Sequence, residues 1–242
     1  MFYDCRSLTE ITFPEGWDVT GCTASESFFR LFSYCDKLER INGIEDWDVS
    51  GYNYSMNYFF DGCYSLKEVN IKNWAPHPTS MQSMFSNCWS LEEIDLTGWG
   101  WDNLTTAALS NTFGSCSSLK EIKGIEHMGD YGNINTLAST FSACYSLTSL
   151  PDISSWNVSK VTSCATMFAD CRSLRSLTIS NWNLAACTTI ANMFRNCYNL
   201  EELELTGWTL SALTTNPDYI FDNLYNLTKC SGLPIKLNFR FR

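Results

Sequence analysis

The chain has 242 residues, of which 45% are hydrophobic and 17% charged, and its net charge is −10. This composition can bury a core and differs from the polar, highly charged composition of disordered chains. Acidic surfaces repel phosphate backbones, so we expect no nucleic-acid partner. No apolar run reaches the roughly 18–20 residues that cross a bilayer, so we expect no direct membrane span.

The first element along the chain is a seven-residue pattern, Phe-x-x-Cys-x-x-Leu, which opens at Phe2–Cys5–Leu8. Eight copies keep the cysteine, and a ninth, Phe221–Leu224–Leu227, replaces it with leucine. The nine phenylalanines are Phe2, Phe32, Phe60, Phe85, Phe113, Phe141, Phe168, Phe194 and Phe221. Their spacing of about 27 residues lies within the roughly 20–29 residues of leucine-rich repeats.

Three further positions recur in each repeat. The leucine begins an alternating apolar run, as in Leu91–Ile94–Leu96, which predicts a strand with one buried face. A tryptophan or, in the fifth repeat, a methionine follows at Trp17, Trp47, Trp74, Trp99, Met128, Trp156, Trp182 and Trp208. Triplets such as Met81/Met84/Phe85 then lead to the next phenylalanine, and their i, i+3, i+4 spacing predicts a helical turn.

These patterns predict an α/β leucine-rich-repeat solenoid that is right-handed and has a parallel sheet. About nine repeats, each a strand plus a short helix or 3₁₀ turn, form one domain over residues 1–242 because a single repeat cannot bury its own apolar edge. Residues 233–242 alternate apolar and polar side chains and predict a closing strand. The first repeat begins inside its triplet, so we expect an excerpt of a longer chain.

The segments MFSNCWSLEEIDLTGW (84–99) and MFADCRSLRSLTISNW (167–182) carry a family resemblance. They resemble the repeat of BspA-like leucine-rich-repeat surface proteins and the related repeat of mycoplasma lipoproteins. The resemblance covers essentially the whole chain and implies a bacterial cell-surface or secreted location, with a role in adhesion. Several repeats depart from the family pattern after the tryptophan, for example at Trp74–Ser80.

The pattern of the cysteines indicates that they pack in the core and do not bind metal or take part in catalysis. Each ladder cysteine stands alone in its repeat, and the paired spacing of metal ligands is absent. Leucine replaces cysteine in the ninth repeat, which indicates a buried apolar position. Disulfides between neighbouring repeats stay open as an alternative. We expect no cofactor, no metal site and no catalytic residue, since neither His77 nor His127 lies in a nucleophile motif.

The residue after each ladder cysteine forms the first candidate binding row. Its members are Arg6, Asp36, Tyr64, Trp89, Ser117, Tyr145, Arg172, Tyr198 and, after Leu224, Tyr225. Because the cysteine faces inward, we expect its neighbour to be exposed. Stacked aromatic rings at Tyr64, Trp89, Tyr145, Tyr198 and Tyr225 would suit sugar rings or a protein partner. The alternative is that these rings only shield the edge of the turn.

The second candidate row lies on the strands, two residues after each leucine. Its acidic members are Glu68, Glu93, Glu121 and Glu202. Glu68, Glu93 and Glu121 fall on consecutive predicted strands, where like charges are unfavourable. The row would bind a basic partner or, weakly, Ca²⁺, and the alternative is a solvated face compensated by lysines.

Taken with the resemblance, these rows predict a non-enzymatic protein- or glycan-binding adhesion module that is extracellular or on the cell surface. The alternative is a structural subunit of a larger assembly, such as a phage tail, a virion component or an envelope complex. Docking partners would then cover the N-terminal end and the C-terminal strand.

Overall fold

The computed structural model describes residues 1–72, 74–105, 109–129, 133–214 and 219–233. Within these ranges the chain winds as a parallel β-solenoid of about eight turns, with one turn for each step along the phenylalanines. Its described strands all have three residues. They are β1 Glu10–Thr12, β2 Arg40–Asn42, β3 Glu93–Asp95, β4 Glu121–Lys123, β5 Ser176–Thr178, β6 Glu202–Glu204 and β7 Lys229–Ser231.

The strands pair in parallel with the register that the repeat predicts. β1 pairs with β2, β3 pairs with β4, and β6 lies between β5 and β7. The middle residue of each strand from β1 to β6 is buried and its first residue is exposed, as at Ile122 and Glu121 in β4. Because side chains alternate across a strand, one sheet face joins the core and the other faces solvent.

Two turns interrupt the sheet. In the described residues of the third turn (66–71) and the sixth turn (147–153), no strand forms. In the sixth turn Pro151 stands where Lys123 stands in β4, and proline has no N–H to donate to a neighbouring strand. The predicted closing strand over 233–242 lies, apart from its first residue, outside the described residues.

The helical part of the sequence prediction is wrong. Among the described residues a 3₁₀ helix occurs at Ile44–Asp46, before Trp47, and the triplets that end on phenylalanine form turns. Left-handed residues bracket each phenylalanine from Phe32 to Phe221, as at Asn111 (φ 56°) and Ser115 (φ 62°) around Phe113. An α-helix needs an unbroken run of right-handed residues. Two left-handed residues four positions apart leave no such run at the phenylalanine.

The left-handed residues redirect the backbone toward the next turn. Phe113 donates its N–H to the Thr140 carbonyl at 2.9 Å, and Ser115 donates to the Ser142 carbonyl at 2.7 Å. Equivalent bonds link successive turns along most of the chain. The segment that the spacing presents as a helix is therefore a second wall of inter-turn hydrogen bonds, opposite the short strands.

Stacked phenylalanines form the centre of the core. Neighbouring rings from Phe2 to Phe221 are 5.4 to 5.9 Å apart at their centroids, with interplanar angles of 20° or less. This spacing is within the 4.5–7 Å range of favourable aromatic pairs. The predicted repeat solenoid is confirmed by this continuous stack.

A second ladder of tryptophans packs near the first. Trp182 stacks on Trp156 at 6.4 Å and on Trp208 at 6.2 Å. Five of these indoles also donate to a carbonyl of the preceding turn, as from Trp182 Nε1 to Ile153 O at 3.1 Å. These five bury their rings and still satisfy their polar groups, which suits tryptophan to this position. The buried Trp47 Nε1, by contrast, has no hydrogen-bond partner among the described residues.

The cysteine ladder is buried from Cys35 to Cys197, as the sequence predicts, and it also makes a directed contact. Seven thiols donate to the carbonyl of the phenylalanine in the preceding turn at sulfur–oxygen distances of 3.0 to 3.2 Å, as from Cys116 to Phe85. All twelve cysteines are free. Burial raises the pKa of the Cys144 and Cys197 thiols to about 12, so the ladder stays protonated at neutral pH.

Candidate functional site

The row of residues after the cysteines follows one edge of the solenoid. The turn at each cysteine is closed by its own N–H, as from Cys144 to the Phe141 carbonyl at 3.3 Å. The cysteine side chain therefore faces the core and the next residue faces outward. Trp89, Tyr145 and Tyr225 are 49%, 39% and 72% exposed, and Tyr64 and Tyr198 are half-buried. We call the nine residues from Arg6 to Tyr225 in this row the aromatic edge.

Neighbouring members of the aromatic edge stack on one another. Tyr64 and Trp89 lie 4.2 Å apart at their centroids with an interplanar angle of 26°. Tyr198 and Tyr225 lie 5.7 Å apart and are nearly parallel, at 5°. The predicted stacked rings are thus brought together, in two groups separated at Ser117.

Arg172 joins the second group, although the sequence prediction assigned ligand contacts only to the aromatic members of the row. Its guanidinium carbon lies 4.2 Å from the Tyr145 ring centroid and 5.7 Å from that of Tyr198. Both distances are within the roughly 6 Å over which cation–π attraction acts. Tyr145, Arg172, Tyr198 and Tyr225 therefore form one continuous stack of planar groups.

Asp170 holds Arg172 in this stack. Its Oδ1 accepts from Arg172 Nε at 3.2 Å and from Nη2 at 3.0 Å. This hydrogen bond raises the pKa of Arg172 further above its already high value. Asp170 is itself fixed by Asn196 Nδ2 at 3.2 Å. The guanidinium is therefore positioned before any ligand arrives.

The acidic strand row is exposed on the sheet face, and lysines accompany it. Glu93 and Glu121 are directly opposite in the β3–β4 register. Lys123 lies 3.0 Å from Glu121, and Lys229 lies 3.5 Å from Glu202. Next to the row, Lys120 hydrogen-bonds Glu92 and lowers the pKa of that carboxyl group. The lysine compensation proposed as the alternative is therefore present at two of the four row positions.

A shallow cleft of about 450 Å³ opens on this sheet face where the third turn lacks a strand. Glu68, Glu93 and Glu121 line it together with Lys72 and Lys123. In the part of the chain that the structure describes, no group of three histidine, cysteine, aspartate or glutamate side chains is arranged to hold a metal ion. The cleft therefore offers mixed charges rather than a cation cage.

The structure adds two side-chain pairs that spacing did not reveal. His77 Nδ1 lies 2.5 Å from Asp102 Oδ1, and the hydrogen bond lowers the pKa of Asp102. Both side chains are exposed on neighbouring turns. Cys187, which lies outside the cysteine ladder, is buried and its thiol donates to Thr189 O at 3.2 Å. A hydrogen bond from Cys164 lowers the pKa of Cys187.

At the first turn, Met1 and Tyr3 are exposed and Phe2 stacks on Phe32 at 5.4 Å. A docking partner at this end stays a prediction. Among the described residues, no helix has the length and hydrophobicity that a membrane crossing needs.

Solved leucine-rich-repeat structures resemble this chain. A leucine-rich repeat protein from Bacteroides ovatus is 20% identical, with 95% of this chain and 62% of that chain covered and a TM-score of 0.41. A leucine rich cell surface protein from Faecalibacterium prausnitzii is 14% identical, covering 92% and 78%, with a TM-score of 0.33. The T. pallidum leucine-rich repeat protein is 21% identical, covering 63% and 69%, with a TM-score of 0.34. This chain thus spans less than two thirds of the Bacteroides ovatus protein.

No curated protein matches the chain. The family model described as "Mycoplasma protein of unknown function, DUF285" matches residues 1–124 and again residues 107–230. The two matches together include all nine copies of the phenylalanine pattern, and they confirm the resemblance to mycoplasma-type repeats. The chain therefore belongs to this family of mycoplasma-type repeat proteins.

Proposed function

We propose that this chain is a non-enzymatic interaction module of a bacterial surface or secreted protein, and that it binds a protein or glycan ligand along the aromatic edge. The observation that carries the proposal is the pair of exposed stacks, Tyr64–Trp89 and Tyr145 to Tyr225, on a single edge. Large planar side chains in one exposed row are typical of binding surfaces.

Packing does not require aromatic residues at these positions. Asp36 and Ser117 stand at the same place in other turns, and their turns stack with the same phenylalanine spacing of 5.6 Å. A position that tolerates aspartate, serine and arginine is free of strong core constraints. The five aromatic residues are therefore better explained by a ligand than by the fold.

A rigid edge also lowers the cost of binding. The stacked rings and the Asp170–Arg172 pair are held in place by intramolecular contacts, so little side-chain freedom is lost when a ligand arrives. The row runs parallel to the solenoid axis, which suits an extended ligand. The acidic sheet face is a second surface, but its lysine pairs leave less uncompensated charge for a partner.

The test screens the purified chain against a glycan array and a displayed peptide library. The Trp89→Ala/Tyr145→Ala double variant is expected to lose the ligands that the unmodified chain retains, with the same circular dichroism spectrum. The matched control, Glu68→Gln/Glu93→Gln, alters the sheet face and is expected to keep them. Loss in the control with retention in the aromatic variant would contradict the proposal, as would a screen without any specific ligand.

A further inference from the structure

The aromatic edge has one vacancy in its stack. Ser117 occupies the row position between Trp89 and Tyr145, and its side chain is too short to fill the space of a ring. Its hydroxyl turns back to donate to the Trp89 carbonyl at 3.0 Å. The space above Ser117 is therefore flanked by two half-exposed rings with nothing from this row between them.

Each of those rings has one face already covered. Tyr64 stacks on Trp89 from the preceding turn, and Arg172 stacks on Tyr145 from the following turn. Because these covered faces point away from Ser117, the opposite faces of Trp89 and Tyr145 border the turn of Ser117. The result is a slot with two aromatic walls, which we call the Ser117 slot.

The same chain shows what fits between two rings that lie two turns apart. Arg172 lies between Tyr145 and Tyr198, which are also two turns apart, at 4.2 and 5.7 Å from their centroids. The phenylalanines of the three turns at the slot are spaced 5.6 Å apart at each step. A planar cation midway in the slot would thus stand within the roughly 6 Å that cation–π attraction requires.

The floor of the slot presents hydrogen-bond acceptors. The Ser117 hydroxyl proton is used on Trp89 O, and the N–H groups of Ser118 and Ser146 donate to Trp89 O at 3.1 Å and Ser117 O at 3.2 Å. The Ser117 oxygen keeps lone pairs for an incoming donor. A guanidinium carries five donors and no acceptor, so it matches this floor.

From this geometry we infer that the Ser117 slot binds the guanidinium of an arginine from a partner protein, which completes the stack from Tyr64 to Tyr225. This inference rests on the proposed function and names the chemistry of its ligand. The net charge of −10 supports it, because an acidic chain attracts basic segments. A lysine ammonium lacks the flat faces that stack on both walls.

The first test introduces a guanidinium into the Ser117 slot by substitution. In the Ser117→Arg variant, the side-chain protons of the introduced residue are expected to shift upfield in NMR spectra, because two rings flank them. Ser117→Gln, a neutral control of intermediate length, should show smaller shifts. Chemical shifts equal to those of a solvent-exposed arginine would overturn the inference, since the slot would then not hold a guanidinium.

The second test supplies the guanidinium as a small molecule in solution. N-acetyl-arginine amide is titrated into the ¹⁵N-labelled chain at constant ionic strength, and the Trp89 indole signal is assigned through Trp89→Phe. Saturable shifts are expected, with at least about fivefold weaker binding for the lysine and citrulline analogues. Ser117→Arg should abolish the shifts. Ser117→Ala removes the Oγ acceptor but not the aromatic walls, and it should weaken the shifts without abolishing them.

Equal shifts from methyl glucoside would overturn the inference in favour of a sugar ligand, as would shifts that persist in Ser117→Arg. The inference and the proposed function can fail separately. If a library ligand still binds Ser117→Arg but not Trp89→Ala/Tyr145→Ala, the edge is a binding surface and the slot is not its arginine site.

Discussion

The interior phenylalanine stack and the aromatic edge share one geometry but differ in regularity. Inside, nine rings stack without interruption at 5.4 to 5.9 Å. On the edge, the same axial repeat carries tyrosine, tryptophan, arginine, aspartate and serine. A substitution in the close-packed interior lowers stability, because the ring there is fully surrounded by other side chains. On the edge the residue type changes from turn to turn, and the neighbouring turns still stack in the same way. Stacking therefore determines the fold in the interior, whereas the residue types on the edge can vary and so can specify a ligand.

The stability of the interior should depend strongly on pH. The pKa of the buried Cys144 and Cys197 thiols is raised to about 12, so the stability they contribute is complete below the unfolded value of about 8.5 and is lost as pH rises toward 12. At pH 11 the expected loss is about 3 kcal/mol for each thiol. Urea unfolding between pH 8 and pH 11 measures it.

The Cys144→Val/Cys197→Val variant is the control for this titration. Its stability should fall less steeply with pH than that of the unmodified chain, whatever its stability at pH 8. Identical slopes would show that these two thiols do not titrate in the way their burial requires.

The next effect compares matched rings on the two surfaces. Phe113→Ala removes a fully buried ring that stacks on Phe85 and Phe141 at 5.6 Å, so we expect a loss of about 3–5 kcal/mol. Trp89→Ala/Tyr145→Ala removes two exposed rings and should change the free energy of unfolding by no more than about 1 kcal/mol. Urea denaturation measures both. If the edge variant unfolds the chain, the edge belongs to the core.

A smaller effect tests the directed thiol contact. Cys116→Ala leaves a small cavity and removes the bond from Sγ to Phe85 O, so about 1–3 kcal/mol should be lost. Cys116→Val keeps the apolar volume, and Phe85 O still accepts from the Cys88 N–H at 3.1 Å. The valine variant should therefore be the more stable of the two in thermal unfolding. The reverse order would indicate that the thiol bond outweighs packing.

The interior was predictable because every position repeats. Phenylalanine, tryptophan, cysteine and leucine recur often enough that their burial follows from stacking alone. The helix was mispredicted because i, i+3, i+4 spacing also arises from two turns joined by a left-handed residue. A signal was present at the positions bracketing each phenylalanine, where Asn87, Asn111, Asn192 and Asn196 tolerate positive φ better than most residues.

The edge was predictable only in part. Exposure followed from the inward cysteine, but the stacking of Arg172 depends on a rotamer fixed by Asp170, which no spacing rule gives. Likewise, the opposition of Glu93 and Glu121 followed from the repeat, whereas the ion pair of Lys123 with Glu121 needed side-chain positions. The repeat pattern predicts the features that every turn has in common. It does not predict contacts that occur in single turns, and the candidate binding features are of this second kind.

The smallest effect concerns the planar cation of the edge. Arg172→Lys keeps the positive charge but removes the flat group between Tyr145 and Tyr198, and we expect a loss of only about 0.5–1 kcal/mol because the site is exposed. The sharper readout is NMR, in which the aromatic protons of both tyrosines should move toward their unstacked positions. Arg175→Lys, in an exposed pair with Glu201 on the strand side, is the matched control and should leave the tyrosine signals unchanged. Unchanged tyrosine signals in Arg172→Lys would mean that the positive charge alone orders this stack. The planar shape of the guanidinium would then not be required on the aromatic edge.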